Sequence, residues 1–418
     1  QDGVKSMIED NVNSIFPSGS PMMPTMHLTV NNPTMPVPGS YDTPILNGAI
    51  YHQSTLNDLL VEGLSVTAGL RLDYEKIKMS YNAHSAMNFD FLFKMGPMQM
   101  ESKNLDALSS FTGKESTDYL QLLPKFTIQY AWNKQNNVYV TATKGYRSGG
   151  YNIQMFSDLI QGSLKNAMLD ALAQDPNFSK FASMFEKYKD QPANVSETVL
   201  YKPEYSWNYE VGTHLTLFDG KLQADLAAFY MDTRDQQISR FSENGLGRIT
   251  VNAGKSRSIG AEASLRAQLT DAWSLNGNYG YTYATFTDYE TNEKAGKEIV
   301  KISYNGHYVP FVPKHTFSVG TQYIWTLRKN SILDNITFNA NYKAAGRIYW
   351  TEKNDASQSL YGTLNGRISL NKGNGQIGFW VNNALNTDYQ AFYFETMSRG
   401  FAQMGRPVQV GVDIRCRF

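Results

Sequence analysis

The feature that most constrains this sequence is the strict alternation of apolar and polar residues over its last stretch, residues 407–418. Alternate positions are apolar up to the final residue: Val408, Val410, Val412, Ile414, Cys416 and Phe418. The positions between them are Gln409, Gly411, Asp413, Arg415 and Arg417. Because a strand points successive side chains to opposite faces, the pattern predicts a strand with one apolar and one polar face. The apolar face would lie on a core in a soluble sheet and on lipid in a membrane β-barrel, so this strand alone leaves both folds open.

The same alternation recurs along most of the chain. Residues 64–74 show it clearly, with Leu70 and Leu72 on one face and Arg71 and Asp73 on the other. The period-two pattern predicts further strands, at residues 126–130, 138–146, 209–217, 222–230, 259–269, 273–283, 317–323, 336–342, 360–370 and 377–381. With the strand that begins at Thr43, before the turn at 57–62, the count comes to about 13 strands.

The connections between these strands are sorted by length. Every second one is short and polar: residues 57–62, 132–137, 218–220, 270–272, 328–334 and 371–375. The others are longer: residues 81–117, 148–203, 288–312, 351–357 and 395–404. Short periplasmic turns opposite long extracellular loops are typical of outer-membrane barrels, whereas a soluble sandwich has no reason to sort its loops in this way. The sequence therefore predicts an all-β fold, an antiparallel transmembrane β-barrel.

Two regions depart from the strand pattern. Residues 148–203 contain apolar residues at helical spacing over 158–172 and 177–188, which predicts a long extracellular loop with helices; the alternative is a loose loop with some helicity. Residues 1–42 are dense in Pro, Gly, Asn and Met and are predicted to be the remnant of an extracellular loop. The barrel portion is accordingly predicted to extend over residues 43–418.

Composition excludes several classes of protein. Lys and Arg together number 38, as do Asp and Glu, so the chain has no excess of positive charge of the kind that binds nucleic acid. The mean hydropathy is −0.42 and no run of about 18 apolar residues exists, which excludes a bundle of membrane helices. The single cysteine, Cys416, excludes a disulfide framework and cysteine-based metal sites.

Several ordered motifs carry a resemblance to a known family. They are Leu123-Pro124-Lys125-Phe126, the run at 139–152, the run at 202–212, Asn252-Ala253-Gly254 with Gly260-Ala261-Glu262, Val312-Pro313-Lys314-His315, the run at 381–389, and Gly405-Arg406-Pro407 with a terminal Phe. Together they resemble the barrel of TonB-dependent outer-membrane receptors from about residue 43 to the end.

The resemblance implies a location in the outer membrane of a Gram-negative bacterium and the import of a scarce, bulky nutrient. An iron–siderophore complex or haem is the first expectation, and cobalamin or a glycan the next. Import in this family is coupled to the TonB–ExbB–ExbD system through an N-terminal plug inside a barrel of about 22 strands. The sequence resembles the C-terminal part of such a barrel, so the plug and the remaining strands are expected on another chain, or the sequence is a fragment. A passive porin-like channel is the alternative outside the family. We expect outer-membrane lipid and a small-molecule nutrient as partners, and no enzymatic activity, cofactor or nucleic acid.

Aromatic and arginine side chains near the predicted outer loops form the candidate ligand surface. Such side chains supply rigid contact area and recognise anions. The candidates are Arg147, Tyr151, Tyr205, Trp207, Tyr349, Trp350, Phe392, Tyr393, Arg399 and Phe401. The alternative for each aromatic residue is the interfacial girdle of the barrel.

Metal and catalytic candidates are few. Soft metals favour thioether and imidazole ligands, which are offered by Met22, Met23, Met26 and His27, and by Met95, Met98 and Met100. The alternative is loop packing, since Met fills irregular gaps. The six histidines are scattered, and His214 beside Glu210 is predicted to form a wall hydrogen bond.

Overall fold

One antiparallel sheet organises the residues that the computed structural model describes, which are 25–241, 248–295, 298–329, 331–396 and 399–417. The strands are β1 Thr25–Val30, β2 Gly39–Asp42, β3 Ile45–Leu56, β4 Leu64–Met95, β5 Met98–Asn133, β6 Asn136–Arg147, β7 Gly150–Tyr151, β8 Leu200–Tyr201, β9 Glu204–Leu217, β10 Leu222–Arg234, β11 Gln237–Phe241, β12 Arg248–Asn252, β13 Lys255–Gln268, β14 Trp273–Asp288, β15 Glu290–Ala295, β16 Glu298–Ser303, β17 His315–Thr326, β18 Asn335–Gly346, β19 Ile348–Tyr349, β20 Ser357–Gln358, β21 Tyr361–Lys372, β22 Gly375–Asn382, β23 Gln390–Thr396, β24 Arg399–Met404 and β25 Gln409–Cys416.

The main sheet is a meander in the order β1-β4-β5-β6-β9-β10-β13-β14-β17-β18-β21-β22-β25. β1, β2 and β3 pair with successive stretches of the long strand β4, so together they occupy one position in the sheet. The sheet thus has 13 positions, which confirms the predicted count. The remaining strands form small two-stranded sheets within the longer connections: β7–β8, β11–β12, β15–β16, β19–β20 and β23–β24.

The two faces of the sheet differ as the alternation predicts. Val211 of β9 pairs with Val140 of β6, and both are about half exposed, at 47% and 55%. Glu210 and Asp225 lie on the opposite face, where Tyr139 donates a hydrogen bond to Glu210 over 2.7 Å. An exposed apolar face backed by a polar face is the pattern of a barrel wall in lipid.

The six predicted short turns all coincide with connections between neighbouring strands of the main sheet, and we call this edge the short-turn end. Between β9 and β10, Phe218, Asp219 and Gly220 all have positive φ (54°, 55° and 86°). Glycine adopts this conformation without strain and Asp tolerates it better than most residues, which explains why Asp-Gly marks the turn. At the opposite, long-loop end, the connections carry the small two-stranded sheets.

Two predictions about the long connections are wrong in part. Residues 81–117 form no loop, because β4 and β5 continue as a hairpin that closes only at Gly96-Pro97. We call this part of the hairpin the β4–β5 extension. Residues 25–42 were expected to lack strands but contain β1 and β2, which pair along the β4 extension. The expectation failed because the Pro-rich segments interrupt these strands without preventing their pairing. Residues 1–24 and Phe418 lie outside the described residues, and the division at residue 42 stays a prediction.

The helices predicted for residues 148–203 are confirmed as α1 Met155–Gln174, a 3₁₀ turn Ser179–Phe181, α2 Ala182–Tyr188 and α3 Val195–Val199. They pack on the β4–β5 extension and form a hydrophobic core with it. Phe156 is fully buried there, with ring centroids 5.1 Å from Tyr41 and 4.7 Å from Tyr81. Residues 148–203, which we call the helical insert, therefore form a folded layer on the extended hairpin. Among the described residues, no helix combines the length and apolar character needed to cross a membrane.

Candidate functional site

A cavity of about 580 Å³ opens at the long-loop end of the sheet. Four connections form its wall: the β11–β12 hairpin, residues 304–312, residues 350–353 and the β23–β24 hairpin. Arg147, the last residue of β6, closes one side. Several mutually distant segments therefore meet around one space, which is the usual position of a ligand site on a β scaffold.

A row of aromatic rings crosses the cavity wall. Trp350 packs on Phe311 with ring centroids 5.7 Å apart, and Phe311 stacks on Phe392 at 5.7 Å. The row continues from Phe392 to Phe394 at 5.8 Å and from Phe394 to Phe401 at 5.3 Å. These contacts hold three separate loops together and supply a rigid apolar surface.

Among the described residues, cationic side chains outnumber anionic ones around the cavity. Four cationic side chains line it, and they are Arg147, Arg240, Arg248 and Lys353. The carboxylates that line it within the described part of the chain are those of Glu352 and Glu395. The Arg248 guanidinium also lies 5.4 Å from the centroid of the Phe392 ring, so charge and aromatic surface are adjacent.

Glu352 is held by groups behind the cavity. The Tyr289 hydroxyl donates to its carboxylate over 3.1 Å, and a ring nitrogen of His307 lies 2.9 Å from its carbonyl oxygen. Burial, and then the neighbouring Glu352 carboxylate, raise the pKa of Tyr289 well above its ordinary value. Tyr289 therefore stays protonated and keeps donating to Glu352.

Trp350 is the most buried ring in the row, with only 7% of its surface exposed. Its backbone N–H donates to the Ala356 carbonyl over 2.9 Å, which fixes the start of its loop. Its indole N–H, by contrast, has no hydrogen-bond partner among the described residues. A buried donor left unpaired in this way is uncommon in folded proteins.

Paired amide contacts connect the helical insert to the cavity wall. The side chain of Asn152 donates to the Thr250 carbonyl and accepts from the Thr250 N–H, both over 2.8 Å. Asn252 makes a similar pair of contacts with Lys202, and Gln237 donates to the carbonyls of Ser148 and Lys202. The insert is thereby joined to the β11–β12 hairpin, which carries Arg240 and Arg248.

A second cavity, of about 540 Å³, lies on the polar face of the sheet. Its lining includes the carboxylates of Glu210, Asp225 and Glu262. His214 makes the wall hydrogen bond predicted for it, but to Asp225, 2.6 Å away, and not to Glu210. The reason is register: His214 is directly opposite Asp225 in the β9–β10 pair, whereas Glu210 is four residues, or two repeats of the pleat, away along β9.

The comparisons with known proteins decide the family. The family described as "TonB dependent receptor-like, beta-barrel" matches residues 27–384. This chain belongs to the TonB-dependent receptor family. Its members are transport receptors of the Gram-negative outer membrane, so the predicted fold class and location are confirmed.

Relatives of this receptor chain match it over part of their length. The probable TonB-dependent siderophore receptor PiuA of Acinetobacter baumannii is 26% identical over 160 residues, 37% of this chain and 20% of the relative. The catecholate siderophore receptor Fiu of Escherichia coli K12 is 25% identical over 179 residues, 43% of this chain and 20% of the relative. The chain thus spans about a fifth of the length of these curated relatives.

A solved structure shows the same fold. The ferric yersiniabactin uptake receptor FyuA from Yersinia pestis aligns with a TM-score of 0.54 at 18% identity, covering 96% of this chain and 56% of that one. At this identity the similarity concerns the fold alone.

The receptor brings together only some of the residues predicted to bind ligand. Arg147, Trp350 and Tyr393 line the cavity, and Phe392 and Phe401 belong to the aromatic row. Arg399 is exposed on β24 and does not line the cavity. Whether any of these residues binds ligand stays a prediction.

The other predicted aromatic residues lie elsewhere in the receptor. Tyr151 packs against the core of the helical insert, where burial raises its pKa to about 12. Tyr349 stacks on Tyr308 at 5.0 Å, Trp207 stacks on Tyr209 at 6.0 Å, and Tyr205 accepts a hydrogen bond from Gln121 over 2.8 Å. These contacts hold loops and strand ends in place.

Sequence reasoning missed most of the residues that line the cavity, including Arg240, Arg248, Tyr304, Phe311 and Lys353. Arg240 and Arg248 belong to a short hairpin, and in its second strand Ile249 and Val251 alternate with Arg248 and Thr250, a signal that was readable from the sequence. The other three are in irregular loop segments, where no local pattern indicates which side chains will converge.

The soft-metal candidates are only partly described. Met26 packs against the insert core, whereas its neighbour His27 is exposed on the other side of β1. Met22 and Met23 lie outside the described residues. Among the described residues, no group of three or more His, Cys, Asp or Glu is arranged to hold a metal ion. The Met-based metal site stays a prediction.

Proposed function

We propose that this chain carries the ligand site of an outer-membrane receptor that imports an iron–siderophore complex. Membership of the family supports the receptor role, and two relatives are named as siderophore receptors. Import would be coupled to the TonB–ExbB–ExbD system through the plug that the family resemblance implies.

The observation that carries this proposal is the cavity at the long-loop end. Within the described residues, its wall combines more cationic than anionic side chains with a row of aromatic rings. Guanidinium groups recognise oxygen anions, and aromatic rings supply large contact areas at low entropic cost. Siderophores that use carboxylate or catecholate oxygens form bulky, anionic iron complexes, which suits a cavity of about 580 Å³ with this lining.

Uptake measurements in the native bacterium test the proposal. The gene is deleted, and the uptake of radiolabelled iron(III) complexes is compared with that of the parent strain, with and without collapse of the proton gradient. We expect at least one anionic complex to enter the parent by an energy-dependent route that the deletion removes. The proposal is wrong if deletion leaves the uptake of every complex unchanged.

Site variants connect uptake to this cavity. Replacing both Arg240 and Arg248 by Gln removes two cations from the wall, and we expect uptake of the same complex to fall at least about tenfold, since hydrogen bonds to charged groups are worth about 1.5–3 kcal/mol each. Arg328→Gln is the matched control, because Arg328 is exposed at the short-turn end. Equal uptake by the double variant and the control would show that the ligand does not bind in this cavity.

A further inference from the structure

The apolar face of the sheet has its boundary near the long-loop end at a row that contains Tyr283. On β14, Trp273 and Tyr283 both belong to this face, and Tyr283 lies ten residues beyond Trp273. Ten strand residues span about 34 Å, or about 24–28 Å across a membrane at the usual strand tilt of about 35–45°. A barrel presents an apolar band about 25 Å tall between two aromatic girdles. Trp273 and Tyr283 therefore lie at its two boundaries, and the next row beyond Tyr283 lies at the level of the lipid headgroups.

That next row carries charge. Ile259 is directly opposite Tyr283, and Arg257 lies two positions further along β13, so it belongs to the same face at the headgroup level. Arg257 is exposed. Directly opposite it on β10 is Asp232, whose carboxylate also lies 3.5 Å from Nε of Arg234, so this anion has a second cation beside it. Arg257 thus presents a guanidinium group where the apolar face ends.

Lys314 is a second cation beside this row. Its Nζ lies 3.5 Å from the Tyr308 hydroxyl and 5.6 Å from the centroid of the Tyr308 ring. That ring meets the Tyr283 ring edge to face, with centroids 5.4 Å apart. Thr285, which is opposite Arg257 on one side, forms a single antiparallel bridge with Tyr308 on the other. Two strand spacings, about 10 Å, therefore separate the backbones of Arg257 and Tyr308, and the two cations flank the pair of tyrosine rings.

The two ends of this face differ in charge. Along β13, β14 and β17, all of which lie within the described residues, positive charge on the apolar face is confined to the long-loop end. At the short-turn end the same face carries Ala267 on β13, Trp273 on β14, and Tyr323 and Trp325 on β17. Aromatic girdles suit both boundaries of a membrane. Cations at one boundary alone indicate anionic headgroups in that leaflet, because Lys and Arg near a membrane surface are attracted to anionic lipid.

We propose that Arg257 and Lys314 bind the phosphate group of a phosphorylated lipid in the outer leaflet of the membrane. A guanidinium offers phosphate a planar pair of donors, and an ammonium adds a compact positive charge. The site is continuous with the lipid-facing wall, so the acyl chains of the same lipid lie on the apolar face below Ile259 and Tyr283. The long-loop end is the extracellular end predicted from the sequence, which places this lipid in the outer leaflet. Binding at this boundary does not depend on which nutrient the receptor imports.

The test is made on the protein extracted from its native outer membrane and freed of lipid in a non-ionic detergent. Native mass spectrometry measures its binding of a bis-phosphorylated outer-membrane glycolipid, of the same glycolipid with both phosphates removed, and of inorganic phosphate. The test variant combines Arg257→Gln with Lys314→Gln. A second variant combines Arg257→Lys with Lys314→Arg and keeps both charges. The control is Arg266→Gln, because Arg266 is an exposed arginine on the polar face of the same strand.

We expect the wild type and the control to bind the phosphorylated glycolipid equally and more tightly than the dephosphorylated one. Loss of both cations should weaken binding of the phosphorylated glycolipid at least about tenfold, and the charge-retaining variant should recover most of that loss.

Equal affinity of the double Gln variant and the control for the phosphorylated glycolipid overturns the proposal. So does a wild type that binds the two glycolipids equally, because the phosphate would then contribute nothing. A charge-retaining variant as weak as the double Gln variant would show that the two side chains act through packing, and it overturns the proposal too. Inorganic phosphate that binds as tightly as the phosphorylated glycolipid, with the same dependence on the two cations, refutes the assignment to a lipid.

Discussion

Arg367 on β21 reaches across β22 and forms a two-point salt bridge with Asp413 on β25, with Nη1–Oδ1 and Nη2–Oδ2 distances of 2.7 and 2.8 Å. Two strand spacings separate the paired residues, about 10 Å of sheet. The bridge is possible because the intervening position is Gly378, which pairs with both Ser369 and Asp413 and has no side chain to block the guanidinium. The contact links the last described strand to a strand that is not its neighbour.

We expect Gly378→Ala to break this bridge. A Cβ built at Gly378 would lie 2.1 Å from Arg367 Nη2 and 3.0 Å from Asp413 Oδ1, so the guanidinium must leave. On gel electrophoresis after heating to a series of temperatures, the variant should change from the folded to the unfolded mobility at a temperature several degrees lower than the wild type does. Gly277→Ala is the control, since its added Cβ meets only ordinary contacts at 3.9 and 4.0 Å. Equal midpoints for the two variants would show that the bridge does not stabilise the sheet.

Asn152→Ala should detach the β11–β12 hairpin from the helical insert. The change leaves the N–H and carbonyl of Thr250 without their side-chain partner, at a cost of about 1–3 kcal/mol in docking. Hydrogen exchange over residues 248–252 should accelerate. Asn166→Ala is a closely matched control, because Asn166 makes the same two-point contact with Asp190 inside the insert. If both variants exchange alike over the hairpin, the Asn152 contact is not what holds it.

Phe156→Ala should loosen the helical insert while leaving the main sheet intact. Phe156 is fully buried between α1 and the strands that carry Tyr41 and Tyr81, so its truncation should destabilise insert docking by about 3–5 kcal/mol. Limited proteolysis should cut the insert faster. The temperature at which the protein changes from the folded to the unfolded gel mobility should stay the same. Phe218→Ala, at a turn residue that is 72% exposed, should alter neither measurement. Resistance of the Phe156 variant to proteolysis would contradict the packing.

Alkaline pH should weaken the insert through Tyr151. Burial, and then the Glu115 carboxylate and Tyr119, raise the pKa of Tyr151 to about 12 from an ordinary 10.0. Because the folded pKa is the higher one, the contribution of the neutral phenol is complete below pH 10 and is lost as the pH rises through about 12. Limited proteolysis measures the stability of the insert in the wild type and in Tyr151→Phe. The difference between the two should be constant below pH 10, and above pH 10 the variant should become the more stable of the two relative to that baseline. A difference that is flat across this window would show that Tyr151 ionises as it does in the unfolded chain.

The sequence by itself determined the wall of the barrel. Both kinds of signal are local in the sequence: the alternation of residues 209–217 is one example, and the turn residues Asp219-Gly220 are another. Because each depends only on neighbouring residues, these signals predicted the strands, their faces and the short turns. The family motifs are local in the same sense: Asn383 in the run at 381–389 accepts from the Thr387 N–H and donates to the Thr387 and Arg406 carbonyls, closing the connection before β25.

Only the tertiary structure decided how the long-loop end is built. Trp350, Phe311 and Phe392 come from different connections, and Asn152 meets Thr250 across 98 positions of sequence. No local pattern specifies such meetings, because they follow from the pairing and curvature of the whole sheet, which carries the loops to one end. The same physics explains why the prediction failed at residues 81–117. Whether such polar, Met-rich segments remain loops or extend two strands depends on what packs against them. Here the helices at residues 155–188 of the helical insert cover the extended strands.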